Sequence, residues 1–133
     1  MSRDNAPGSL DVIIATRNRP DDLARVLESL VVQTWPAFRV IVVDQSDEPR
    51  ANLTTIANIG DDRIQHVPTT SRGKSRALNE ALITHSDAAV IAFTDDDCQM
   101  DARWLSEVMK SVERHSDAGM IFGTLVPIPH DPA

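Results

Sequence analysis

Thr94-Asp95-Asp96-Asp97 sets three consecutive carboxylates directly after an apolar run, Ala88 to Phe93. Along an extended chain, alternate side chains share a side. Asp95 and Asp97 then point one way, roughly 6.6 Å apart, and Asp96 points the other. Two such charges repel by about 4 kcal/mol when 4 Å apart near a protein surface. A hard divalent cation offsets that cost. Mg²⁺ or Mn²⁺ takes one or two carboxylates and completes its shell with water and substrate phosphate. The plainer reading is a solvated acidic turn before the next helix. Asp101 is the better-placed N-cap for that helix, which leaves the triplet without a capping role.

Asp44 closes another apolar run, Arg39 to Val43, and Gln45-Ser46-Asp47 follows it. An Asp in this setting commonly forms an Asx turn, but Asp44 should share a sheet edge with the triplet. Arg72-Gly73-Lys74-Ser75-Arg76 opens a helix. Backbone N–H groups, the helix dipole and three cations would make it an anion site, with a solvated helix start as the alternative. Only Gly73-Lys74-Ser75 matches any part of a Walker loop, and the match is incomplete. His66, His85, His115 and His130 lack metal-ligand spacing. Cys98 has nothing nearby in sequence to activate it and reads as structural.

These residues need a scaffold that brings them together. Leu10 to Ala15 reads as a buried strand, and Pro20 opens a helix whose stripe is Leu23, Val26, Leu27, Leu30 and Val31. Arg39 to Asp44 is the second strand. A weaker helix covers Asn52 to Ile59 and ends at Gly60-Asp61-Asp62, and Ile64 to Val67 is a short strand. A helix is expected over Ser71 to Thr84, a strand over Ala88 to Phe93, and a helix from Asp101 that carries Trp104, Leu105, Val108, Met109 and Val112. Met120 to Val126 is a fifth strand candidate. Strand–helix alternation with continuous apolar strands predicts an α/β, Rossmann-like three-layer sandwich around a mostly parallel sheet. Ligands of such sheets bind beyond the carboxyl ends of the strands, where Thr16-Arg17-Asn18, Asp44 and the triplet lie. The expected organisation is a polar tail (1–9), one α/β domain (10–126) and a Pro-rich extended tail (127–133).

Composition narrows the class. The 133 residues include 13 Lys and Arg against 20 Asp and Glu, a net charge of −7 that argues against nucleic acid as a partner. It also argues against a polybasic membrane-surface role. With 41% hydrophobic and 25% charged residues, the chain is one that folds. Cys98 is its one cysteine, so no intrachain disulfide forms, and a reducing compartment fits. No apolar run approaches a membrane span, and the start lacks a signal pattern, so the expected location is cytoplasmic.

Together the segments resemble family 2 glycosyltransferases. Leu10 to Arg19, Leu27-Glu28-Ser29-Leu30 with Gln33-Thr34, and Val40 to Asp47 resemble that family's opening. Gly73-Lys74-Ser75-Arg76-Ala77-Leu78-Asn79 resembles its Gly-Lys-x-x-Ala-Leu-Asn segment, and Phe93 to Asp97 its D-x-D motif. The resemblance implies part of a GT-A fold whose N-terminal half binds a nucleotide-diphosphate sugar, UDP- or dTDP-linked. Thr16 and Arg17 would line the base pocket, Asp44 would accept a hydrogen bond from the base, and Lys74 would lie near base or diphosphate. Asp95 would reach the ribose or the metal, with Asp96 beside it in the nucleotide-sugar site. Asp97 would hold Mg²⁺ or Mn²⁺ against the diphosphate. The implied reaction is inverting transfer to a saccharide or lipid acceptor. The acceptor half and its general base would lie beyond Ala133. Gln45 stands where the family often has a second acidic residue, Arg17 where it often has Tyr, and Ala15 where it often has Pro.

Rival readings are a haloacid-dehalogenase-like phosphatase, a phospho-receiver domain and a nucleotide-sugar-binding module without turnover. Gln99 and the short remainder of the chain disfavour the first; Thr16-Arg17 and Pro127 occupy the places of the receiver's acidic pair and lysine. A domain lacking its covering half would also expose apolar surface around Ile121, Phe122 and Leu125 and self-associate.

Overall fold

The computed structural model describes residues 9–117, 119, 120 and 123. Four strands, β1 (Leu10–Thr16), β2 (Arg39–Asp44), β3 (Ile64–Pro68) and β4 (Val90–Asp95), form one sheet in the order β3-β2-β1-β4. Every pairing is parallel. The helices are α1 (Pro20–Val31), α2 (Arg50–Ile59), α3 (Lys74–Glu80) and α4 (Trp104–Arg114). The expected α/β three-layer architecture is therefore present.

Side-chain alternation divides the core. Leu10, Val12 and Ile14 of β1 and Val40 and Val42 of β2 face α1, whose Leu23, Val26, Leu27 and Leu30 are fully buried, together with Ile56 of α2 and Leu105 of α4. Ile13, Ile41, Val43 and Val67 face the opposite way, onto Ala77 of α3 and Ala81. Each fully buried Leu or Ile contributes about 1.5–3 kcal/mol, so this two-sided burial holds the central strand β1 in place. Asp11 is buried at the other end of the sheet from its carboxyl edge, and it accepts from Arg39 Nη2 at 3.0 Å and Ser86 Oγ at 2.7 Å.

The boundaries depart from expectation in instructive places. α2 begins at Arg50 and stops at Gly60, whose left-handed φ of 70° and N–H bond to Ile56 O make a glycine C-cap. α3 does not run to Thr84. It ends at Glu80 and continues as a π-helical turn, Ala81–His85. β4 lies two residues later than expected and carries Asp95 as its last residue, so Asp96 and Asp97 belong to the following turn. Asp101 does not cap α4. Its carboxylate accepts from Arg103 N and its carbonyl from Trp104 N, forming a turn that precedes the helix. The fifth strand candidate (120–126), the Pro-rich tail and the Ile121, Phe122 and Leu125 surface lie outside the described residues, apart from Met120 and Gly123.

Candidate functional site

The chain lays β2 and β3 on one side of β1 and then crosses to place β4 on the other. The turning point of this order lies at β1 and β4, where open parallel sheets form their ligand crevice. A cavity of about 400 Å³ opens there, lined by Ala15, Thr16, Arg17, Arg19, Gln45, Lys74, Asp95, Asp96 and Asp97. Parallel register explains the grouping: Thr16 is level with Asp44, and Ala15 with Asp95.

The acidic triplet splits as alternation predicts. Asp96 turns inward, is buried, and accepts from Thr16 Oγ1 at 2.8 Å. Arg19 Nη1 lies 3.6 Å from its other oxygen. Burial pushes the Asp96 carboxyl above the usual aspartate range; Thr16 and Arg19 pull against that, and neighbouring Asp97 and Asp22 add to it. Asp95 and Asp97 face solvent. One carboxylate oxygen of each and Cys98 Sγ lie within 4.8 Å of one another. Two exposed oxygen donors at this separation suit a hard divalent cation that keeps several waters. Cys98, expected to be structural, stands at the same mouth.

Of the three cations at the start of α3, Lys74 reaches the cavity, where its ammonium donates to Asp95 Oδ1. Arg72 instead folds back onto the carbonyls of Gln45, Thr70 and Ser71 and onto Asp47. Arg76 is exposed and outside the cavity lining. The anion site expected from all three reduces to Lys74.

Arg17 lines the cavity and donates to Asp47 Oδ1 at 3.2 Å. Asn18 takes a positive φ of 55°, a conformation Asn tolerates; its Nδ2 donates to Asp47 Oδ2 and its Oδ1 accepts from the Asp47 backbone N–H. Asn18 and then Arg17 hold the Asp47 carboxyl below the usual aspartate range. Asp44 sits deeper. It is fully buried and does not line the cavity. Its Oδ1 accepts from Ser46 N at 2.9 Å, an Asx turn, and its Oδ2 lies 2.8 Å from His66 Nε2. Burial alone would raise its pKa, but the bonds from His66 and Ser46 outweigh it and leave the carboxyl below the usual range.

Sequence reasoning did not single out Arg19 or Gln45 for the site. Arg19 has a signal in hindsight, since it immediately precedes the helix-opening Pro20 at the end of the β1 loop. Gln45 stands one residue past Asp44, and alternation turns it toward the cavity when Asp44 turns inward.

Among known proteins, the chain is similar to a glucosyl-dolichyl phosphate glucuronosyltransferase of Haloferax volcanii, 29% identical over 122 residues, which cover 89% of this chain and 38% of that protein. It is 32% identical over 96 residues to the uncharacterized glycosyltransferase YibD of Escherichia coli (strain K12), covering 70% of this chain and 27% of that one. The mannosyltransferase PcManGT from Pyrobaculum calidifontis, solved in complex with GDP-Man and Mn²⁺, superimposes with a TM-score of 0.68 at 29% identity over 81% of this chain and 32% of that one. S. aureus TarS shares the fold, with a TM-score of 0.69 at 21% identity over 81% of this chain and 33% of that one. The chain thus spans well under half the length of these relatives. No helix among the described residues is long and apolar enough to cross a membrane. The family model for glycosyl transferase family 2 matches residues 11–131, and the chain belongs to that family.

Proposed function

We propose that this domain (10–126) binds the nucleotide-diphosphate sugar donor of an inverting glycosyltransferase, with Asp95 and Asp97 as ligands of a Mg²⁺ or Mn²⁺ ion. The observation that carries this reading is the crevice beside β1, where two exposed carboxylates, one ammonium and a buried Thr16–Asp96 pair converge. The mannosyltransferase with GDP-Man and Mn²⁺ supports both donor class and metal, so GDP joins UDP and dTDP as a candidate nucleotide.

In this reading Arg17 and Thr16 line the nucleoside end and Lys74 faces the diphosphate. Asp95 lies near ribose or metal, with Asp96 locking the β4 turn beneath. When bound, the divalent ion would stabilise charge developing on the departing nucleotide diphosphate. Thr16 holds Asp96 so that its neighbours face outward. Asp44 supports the β2 turn through Ser46 and is fully buried outside the cavity lining, so any contact between it and the base requires a local opening. The acceptor in this reading is a saccharide or lipid.

Titration calorimetry of UDP, dTDP and GDP, each with Mn²⁺ or with EDTA, tests the reading. Binding of at least one nucleotide that weakens tenfold or more in EDTA is expected. Identical heats with and without EDTA would overturn the metal assignment, and no binding of any nucleotide would overturn the donor site.

A further inference from the structure

We propose that Gln45 is a positioning residue that fixes Lys74 against the cavity, an inference that rests on the donor-binding reading above. The backbone N–H of Gln45 donates to Thr16 O at 2.8 Å, which extends the β1–β2 pairing one step beyond the strands and anchors the residue at the crevice floor. Its side chain is buried, and Nε2 donates to two carbonyls of the loop before α3, Ser71 O at 3.0 Å and Gly73 O at 2.9 Å. The second of these also accepts from Ala77 N at 3.2 Å, so the amide is tied to the carbonyl that opens the helix. Arg72 Nη1 donates back to Gln45 O at 3.3 Å, so the 71–73 segment is joined to the end of β2 in both directions.

From the other side, Glu80 Oε2 accepts from Thr69 Oγ1 at 2.9 Å and from Ser71 Oγ at 3.3 Å. Between these ties Gly73 adopts φ of 94°, a conformation strained for residues with a Cβ, and Lys74 follows it directly. The direction in which Lys74 leaves the loop is therefore set at Gly73, and Gln45 holds that residue. An amide suits the task because it offers two N–H groups to two carbonyls. A carboxylate there would face them with oxygen only, and a thioether would leave both bonds unmade.

The test combines ligand binding with a local readout in the full 133-residue chain. UDP, dTDP and GDP are titrated with Mn²⁺ into the parent, Gln45→Met, Gln45→Glu, Lys74→Met and the Gln45→Met/Lys74→Met double variant. Lys74→Met should weaken binding about tenfold, the effect of losing a charged hydrogen bond. Gln45→Met should weaken it about three- to tenfold and Gln45→Glu at least as much. The double variant should match Lys74→Met alone, because Gln45 acts through Lys74. Additive losses, as from a direct contact between Gln45 and nucleotide, would overturn the proposal, as would full affinity in Gln45→Met. Hydrogen exchange gives the ligand-independent readout: amides of residues 71–74 should exchange faster in both Gln45 variants while those of β1 and β2 keep their protection. Unchanged exchange in that loop would overturn the positioning role. Failure of all three nucleotides to bind the parent would instead overturn the donor-binding reading.

Discussion

Lys74 and Asp95 meet across the mouth of the cavity, the ammonium donating to Asp95 Oδ1, so that the first residue of α3 and the last of β4 are joined by one ion pair. Asp95 is also one of the two carboxylates proposed to hold the metal. An ammonium and a divalent cation compete for the same oxygen, so Lys74 opposes metal binding when no diphosphate draws it away. Lys74→Met should therefore bind Mn²⁺ alone about two- to fivefold more tightly, the range expected from losing an exposed pair, while binding nucleotide diphosphate more weakly. Calorimetric Mn²⁺ titration checks it. Arg76→Gln, which removes a charge from the same helix outside the cavity, should leave the Mn²⁺ affinity within twofold. Equal effects of the two substitutions would mean that charge, not pairing, is at work.

The Thr16–Asp96 bond lies under the site. Thr16→Val keeps the shape but withdraws a donor from a buried carboxylate, which costs about 1–3 kcal/mol. Urea denaturation at pH 7 should show that loss, and a change below 0.3 kcal/mol would mean that water replaces the threonine.

Asp96 and Asp44 should tilt stability in opposite directions with pH. The folded state raises the Asp96 pKa above the 3.8 of an ordinary aspartate, so this group favours folding at low pH and that contribution is lost as pH rises through the raised folded value. Asp96→Asn should gain stability relative to the parent as pH climbs above 3.8. Asp44 is the reverse case: its pKa is lowered, so its contribution is present above 3.8 and lost as pH falls through the lowered folded value. Asp44→Asn should be less stable than the parent at neutral pH, with the deficit closing below 3.8. Denaturation midpoints measured between pH 3 and pH 7 would separate the two; parallel curves for both variants would refute the assignment.

The strands and α1 were legible because burial on both faces leaves unbroken apolar runs and a 3.6-residue stripe, as in Val40 to Val43 and Leu23 to Leu30. The triplet was legible because period-two alternation places Asp95 outward at the end of β4 and anticipates the inward turn of Asp96, which Thr16 then holds. Asp44 was less so. Its place at the sheet edge followed from β2, but its depth depends on His66, whose partnership crosses from β3 and leaves no local trace. The same holds for Arg72, whose charge suggests an anion site and whose position is set by the carbonyls of Gln45, Thr70 and Ser71. α3 breaks at Glu80 although Ala81, Leu82 and Ile83 continue the helical composition, so nothing in local propensity marks the switch to a π turn.

Among the described residues β4 pairs on one side only, with β1. Phe93 is level with Ile13, whose side chain packs on the α3 face of the sheet, yet it is 48% exposed, while Ile91 two residues earlier packs against that cluster. An edge strand carrying an exposed aromatic is prone to pairing. The 133-residue chain should therefore show a concentration-dependent mass in light scattering, and Phe93→Lys should shift it toward monomer. A monomeric parent at high concentration would refute this.

The isolated chain should bind donor without transferring sugar at a useful rate. Inverting transfer needs a base within hydrogen-bond reach of the acceptor hydroxyl, on the side opposite the leaving group. Among the described residues, the carboxylates lining the cavity are Asp95, Asp96 and Asp97. Asp96 is buried against Thr16, and the other two face the proposed metal on the leaving-group side, so none of the three meets that requirement. Losing a positioned base forfeits about 10²–10⁴ in rate, and losing acceptor positioning forfeits more. An assay of UDP-, dTDP- and GDP-sugars against a broad panel of saccharide and lipid acceptors should give nucleotide release that does not depend on acceptor. Asp131, in Pro129-His130-Asp131-Pro132, is the late acidic residue to watch. Acceptor-dependent release abolished by Asp131→Asn would refute the prediction and make these 133 residues a complete catalyst.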